Sequence, residues 1–205
     1  MGELMRGTNA FWALSVLVWL SGALGHAAAA TELPVFESAK LGVAGEDQGF
    51  TLSANQWLGV RFTTTEPIQV SAIGGHITEL VPGSLFVAIF AVENSLPPSP
   101  PNIEDAFFVT TFVGPQDSGE VTIPTNFHLP PGNWAIVFGS GAAGATGHGA
   151  MPGKDLDIGS PKYFSKEGDS WTNGGFGKAR FFIRGKRARE AAPGKSRPVK
   201  SVELA

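Results

Sequence analysis

The densest group of chemically useful residues in this chain is Lys154-Asp155-Leu156-Asp157-Ile158-Gly159-Ser160. Carboxylates two residues apart can aim alternate oxygens into one turn, and the following glycine permits a sharp backbone; that is half of a calcium-loop pattern. The other half is missing. The next ligand position is Gly159, and the position that needs a bidentate glutamate is Lys166, with Glu167 one residue past it. The spacing excludes an EF-hand. It leaves a structural calcium on Asp155 and Asp157, with Asp169 or backbone carbonyls as partners, as a candidate cofactor. The alternative is a pair of ordinary turn aspartates, since Asp and Gly dominate turns.

A second group sets aromatic rings beside polar side chains, the pairing that recognises sugars: C–H faces pack on the ring while amides and guanidiniums bond the hydroxyls. Trp171-Thr172-Asn173-Gly174-Gly175 is a turn-rich stretch that would hold Trp171 and Asn173 near the surface. In strand alternation Trp57 points away from Leu58, Val60 and Phe62 and shares a face with Arg61. The single tyrosine, Tyr163, is flanked by Lys162 and Lys166. Trp171, Tyr163, Asn173, Trp57 and Arg61 are therefore the candidate ligand-binding residues. For the two tryptophans the alternative is core packing, because Trp is highly buried on average.

Catalytic signals are weak, and no catalytic residue is assigned. There is no G-x-S-x-G elbow and no cysteine nucleophile. His76, His128 and His148 are far apart, with no local zinc-ligand pair among them. His76 reads as a partly buried strand residue. His148 sits in the glycine-rich stretch 139–149, as a surface loop or a site rim. The segment REAAPGKS (189–196) ends like a phosphate loop, but Arg189 replaces its first glycine and Pro198 follows, so it is rejected.

Composition bounds the rest. The chain has 205 residues, a net charge of −3, 42% apolar residues and 16% charged residues, enough for one ordinary domain and unlike a coiled coil. Zero cysteine excludes disulfide scaffolds, thiol catalysis, Cys-ligated zinc and iron–sulfur clusters. Residues 10–24 form an uncharged apolar stretch, with Arg6 before it and Ala27 to Ala30 after it. Small residues at Ala28 and Ala30 predict signal-peptide cleavage before Thr31, with an uncleaved anchor as the alternative. As a helix the stretch rises about 22 Å, short of the roughly 30 Å hydrocarbon core. The expected location is secreted or periplasmic, with no membrane attachment after cleavage. No second apolar stretch stands near the C-terminus to serve as an anchor.

Residues 31–185 carry 8 Lys/Arg against 15 Asp/Glu, a net of −7. That offers no basic groove for nucleic acid. Residues 186–205 carry 6 Lys/Arg against 2 Glu, with two prolines and no aromatic residue. They read as a disordered basic tail, either solvated or attached to an anionic surface polymer.

The intervening apolar residues come in short runs broken by Gly, Pro, Asn and Ser. Strands are predicted at 50–53, 57–63, 68–77, 85–92, 107–113, 120–123, 133–138, 162–165 and 179–184. Runs 85–92 and 134–138 are apolar on both faces and should be central strands covered on both sides. The best helical guess is a single turn at 102–106. The proline-rich segment 96–101 must be extended. About nine short antiparallel strands predict an all-β, two-sheet, jelly-roll-like β-sandwich over 31–185.

Several of these patterns occur in a known order: Phe50-Thr51-Leu52, then Ile73-Gly74, then Gly83 to Ile89 followed by the proline-rich loop. Leu129-x-Pro131-Gly132-x-Trp134-x-Ile136-Val137 comes next, and the aromatic strand Phe181-Phe182-Ile183 is last. The order resembles the loose class of secreted bacterial β-sandwich domains that includes the choice-of-anchor domains. The likeness covers about residues 45–185. It implies a sandwich in an extracytoplasmic setting and no catalytic residues. Three functions are then open: a non-catalytic binding or adhesion module for an extracellular glycan, a structural protein acting by self-association, and a polysaccharide hydrolase or lyase. The first predicts Trp171 and Tyr163 exposed together, the second residues 85–92 at a sheet edge. The third predicts paired acids, or Tyr163 with Lys162, in a cleft.

Overall fold

A computed structural model of the chain describes residues 32–43, 49–93 and 95–187. The expected signal peptide and residues 188–205 of the expected tail lie outside the described residues. The strands are β1 (Pro34–Glu37), β2 (Ala39–Lys40), β3 (Gly49–Leu52), β4 (Gln56–Thr64), β5 (Ile68–Val81), β6 (Ser84–Ala91) and β7 (Phe108–Val113). They continue with β8 (Gly119–Leu129), β9 (Gly132–Gly139), β10 (His148–Pro152), β11 (Leu156–Asp157), β12 (Lys162–Glu167), β13 (Ser170–Asn173) and β14 (Phe181–Arg187). A 3-10 turn at Ile103–Asp105 stands where the single helical turn is predicted, capped by the Asn102 side chain on the Glu104 N–H.

Two six-stranded antiparallel sheets make the sandwich. One runs β1-β14-β5-β10-β3, with β8 also paired to β5; the other runs β13-β12-β4-β9-β6-β7. β2 and β11 form a separate two-residue ladder. From β4 to β10 the chain changes sheet at every connection except β6 to β7, which gives the jelly-roll-like winding. All nine predicted strands are present. The additional ones, β1, β2, β10, β11 and β13, are short or rich in Gly, Pro and polar residues, so alternation alone does not reveal them. β14 also runs through Lys186 and Arg187, two residues into the stretch assigned to the tail; Gly185 to Arg187 pair with Val70 to Ile68.

Strand alternation builds a core between the sheets. Leu58, Val60 and Phe62 of β4 meet Ile68, Val70, Ile73 and Ile77 of β5, with Phe138, Met151, Phe181 and Ile183 filling between them. The second sheet also has an apolar outer face. Trp57, Phe86, Ala88, Phe90, Ala135, Val137, Phe164 and Trp171 form a second cluster there. Leu96, Ile103 and Ala106, from the long connection after β6, cover it together with Ala142 and Ala145 from the connection after β9. Strands β6 and β9 are thus buried on both faces, as their uninterrupted apolar runs predict.

The outer layer is tight enough to require glycine beneath it. A Cβ on Gly59 would lie 2.4 Å from Cζ of the fully buried Phe164 ring. Gly59→Ala is expected to lower stability by roughly 1–3 kcal/mol by overpacking, measured as a shift in the urea unfolding midpoint. A midpoint equal to the parent's would mean that the outer layer yields to the methyl group.

Candidate functional site

The chemistry expected of the tryptophans is limited by their burial. Trp171 is 9% exposed and Trp57 5% exposed. Trp171 has Trp57, Phe90 and Phe164 around its ring at centroid distances of 6.0, 6.0 and 5.3 Å, and its Nε1–H donates to the Pro98 carbonyl at 2.8 Å. Trp57 packs edge-on to Phe86, donates Nε1–H to the Ser140 carbonyl, and carries the Lys166 ammonium 4.6 Å from its ring centroid. Burial over that ring pulls the Lys166 ammonium below its ordinary pKa, against the raising effect of the Asp169 charge. No tryptophan face is left for a sugar to stack on at either position. Both rings serve the outer cluster, which is the core-packing alternative. Their hydrogen bonds to loop carbonyls tie the covering segments to the sheet.

The same sheet face turns polar beyond this cluster. Arg61 on β4 stands directly opposite Lys162 on β12. Thr63 and Asn133 face each other across β4 and β9, with the Thr63 hydroxyl donating to Asn133 Oδ1 at 2.8 Å. Asn173 on β13 is exposed. The covering loop reaches this end through Ser95, whose left-handed backbone (φ 82°) presents its carbonyl to Arg61 Nη1 at 2.6 Å. Two adjoining cavities open here, of about 300 Å³ and 420 Å³. Both are lined by Arg61, Ser95 and Lys162. Thr63 and Asn133 line the first, and Tyr163, Asn173 and Phe176 the second. Three of the residues chosen from the sequence, Arg61, Tyr163 and Asn173, therefore come together, while Trp57 and Trp171 do not join them. Ser95, Thr63 and Asn133 carry no local motif; only strand register and the loop's return place them in the cleft.

Tyr163 borders the second cavity from the core side: it follows Lys162 on β12, stands opposite Val60, and packs in the core between the sheets. It is 8% exposed, and its hydroxyl donates to Asp157 Oδ1 at 2.7 Å and lies 3.0 Å from the Ala179 carbonyl. Burial, then the bond to Asp157, push the phenol well above its usual range.

The three aspartates of the calcium candidate have separate tasks. Asp155 is 1% exposed. Its Oδ1 accepts from the Gly42 N–H at 2.6 Å and bonds His76 Nδ1 at 2.9 Å, and its Oδ2 accepts from the Arg180 N–H at 3.0 Å. Asp157 is committed to Tyr163, and Asp169 is exposed. Among the described residues no group of three His, Asp or Glu side chains is placed to hold a metal ion. The reason is physical: a carboxylate already filled by three donors inside the fold has little left to offer a cation.

His76 is buried, not partly exposed, and its Nε2 lies 2.9 Å from the Ser118 hydroxyl. The ring thus bridges Asp155 on Nδ1 and Ser118 on Nε2. The sequence gives no local sign of this Ser118–His76–Asp155 chain, whose members are 42 and 79 residues apart. Its order is that of a nucleophile, base and orienting acid. Ser118 is 7% exposed and lines neither cavity of the cleft. The Ser118–His76–Asp155 chain acts as a fastening between β5, the start of β8, β14 and the segment after β2.

On the outer face of the first sheet, Arg180 and Arg184 lie over the Phe182 ring, 4.7 and 4.8 Å from its centroid. Arg180 donates to Glu37 at 2.6 Å and to Glu120, and Arg184 donates to Glu120 at 2.7 Å. Burial alone would raise the Glu120 carboxyl, but the bond and charge of Arg180, followed by those of Arg184, outweigh it and hold the group below its ordinary value of 4.5.

No family model, no curated protein and no solved structure matches this chain. The fold and the cleft carry the functional argument by themselves.

Two outcomes follow from these networks. Asp155→Ala should cost roughly 3–5 kcal/mol, because it strands buried donors, whereas Asp157→Ala should cost about 1 kcal/mol or less. Urea unfolding of the pair measures both, and equal losses would contradict the central place of Asp155. Glu120 has a depressed folded-state pKa, so its stabilisation is present above the ordinary carboxyl pKa and is lost as pH falls through the lower folded value. Glu120→Gln should therefore flatten the decline of stability below about pH 4.5, read from thermal melts across the acid range.

Proposed function

We propose that the protein is a secreted, non-catalytic binding module that holds an extracellular glycan in the Arg61–Lys162 cleft. The observation that carries this reading is the convergence of Arg61, Asn173 and Tyr163 on one open cleft, with Thr63 and Asn133 adding hydroxyl and amide groups. Polar side chains of this kind suit sugar hydroxyls better than an apolar small molecule. The absence of any carboxylate lining either cavity, among the described residues, supports binding over glycoside hydrolysis, which needs an acid pair. With Trp57, Trp134 and Trp171 all buried, polar contacts, not stacking, must supply most of the affinity.

Self-association keeps one supporting observation. β6 lies inside its sheet, but β7 is at the edge, with Val109 38% exposed and Val113 72% exposed.

The test is retention of the full chain on a panel of insoluble and arrayed polysaccharides beside Asn173→Ala. At least one glycan should retain the parent, with retention roughly fivefold weaker in the variant, the worth of about one hydrogen bond. Retention on no glycan would remove this reading and leave assembly through β7 as the one to pursue.

A further inference from the structure

Resting on the reading of the cleft as a glycan site, we infer that its ligand is an acidic glycan, a polymer of uronic-acid type whose carboxylate is held between Arg61 and Lys162. The two cations are cross-strand neighbours, a pairing that is unfavourable between like charges. Among the described residues neither has a carboxylate within ion-pair distance. Two other guanidiniums are paired: Arg180 has Glu37 and Glu120, and Arg184 has Glu120. In the cleft two cross-strand positive charges stand together, without a carboxylate in ion-pair distance among the described residues, at the rim of about 300 and 420 Å³ of open space. An anion placed there relieves their repulsion.

Arg61 also has the right donors left over. Its Nη1 is fastened to the Ser95 carbonyl, which fixes the guanidinium against the loop. Its Nε is buried and has no hydrogen-bond partner, an uncommon state for a buried donor. With Nε covered by protein, the donors left are those of the Nη1–Nη2 end, which can still meet the oxygens of a planar carboxylate. Lys162 is exposed and adds a mobile point charge on the opposite strand. Asn133, whose Oδ1 is held by Thr63, keeps its amide hydrogens for a ring hydroxyl of the same sugar. A uronate residue carries both a carboxylate and such hydroxyls.

The experiment compares retention of the full chain on polygalacturonate and alginate, on dextran sulfate, and on neutral xylan and cellulose, across a range of ionic strength. Expected is retention on the uronate polymers that falls as salt rises. It should weaken roughly fivefold in Lys162→Gln and at least about tenfold in Arg61→Gln, with Arg61→Lys recovering only part of the loss. Lys162→Gln keeps the test valid if Arg61→Gln loosens the Ser95 loop, and thermal melts of each variant check folding. Retention on a neutral glycan that both charge variants preserve would overturn the acidic ligand and leave the glycan module standing. Retention on dextran sulfate alone would assign the cleft to sulfate esters and overturn the carboxylate. Uronate binding unchanged in both variants would place it outside the cleft, on the basic tail, and overturn the inference. Retention on no glycan would overturn the inference together with the reading on which it rests.

Discussion

A β-sheet that is apolar on both faces cannot leave either face in water, and the second sheet of this protein is such a sheet. Its inner face closes the sandwich core, and its outer face carries Phe86, Phe90, Phe164, Trp57 and Trp171. Each side chain of that size is worth about 1.5–3 kcal/mol when it leaves water. The connections after β6 and β9 are held over this face for that reason, by apolar contact and by the indole bonds to Pro98 and Ser140. The cover ends where the face turns polar, and the cleft begins there. The site is thus a consequence of incomplete cover: the covering loop supplies Ser95 to one wall, and the uncovered strand ends supply Arg61, Thr63, Asn133, Lys162 and Asn173.

Without disulfides, distant segments must be joined by other means. Asp155 does much of this by accepting from Gly42, His76 and Arg180, which come from three separate parts of the chain. Ser38 does the same nearby: its hydroxyl donates to the Ala179 carbonyl and accepts from the Phe181 N–H. Buried polar groups of this kind are stabilising only when every member is satisfied, and here the partners are in place. The result is a rigid frame for β14 and β5, on which the opposite sheet can present a cleft without itself needing to be rigid at its rim.

The charge distribution separates frame from site. Arg180 and Arg184 are paired with acids over Phe182, while among the described residues Arg61 and Lys162 are paired with none. A positive pair inside a domain of the opposite net charge does little for stability. The local field it creates is strongest where the cavity walls exclude water.

The sequence alone determined the fold class, because alternating and doubly apolar runs are local properties set by the pleat of a strand. The nine predicted strands, the single turn at Ile103–Asp105 and the two-sided burial of β6 and β9 all follow from short stretches read in isolation. It also placed Trp57 and Arg61 together on the face opposite Leu58, Val60 and Phe62. Periodicity could not say whether that outer face met solvent or a loop, so the tryptophans were legible as face partners of Arg61 and illegible as buried. Nor could it say what Asp155 and Asp157 would bond. Their spacing suits a metal, but His76, Gly42 and Arg180 reach Asp155 from far along the chain. The cleft was decided by tertiary structure alone: strand register set Lys162 beside Arg61, and the return of the covering loop brought Ser95 to both. Contacts between residues tens of positions apart depend on register and loop path, and neither leaves a periodic trace in the sequence.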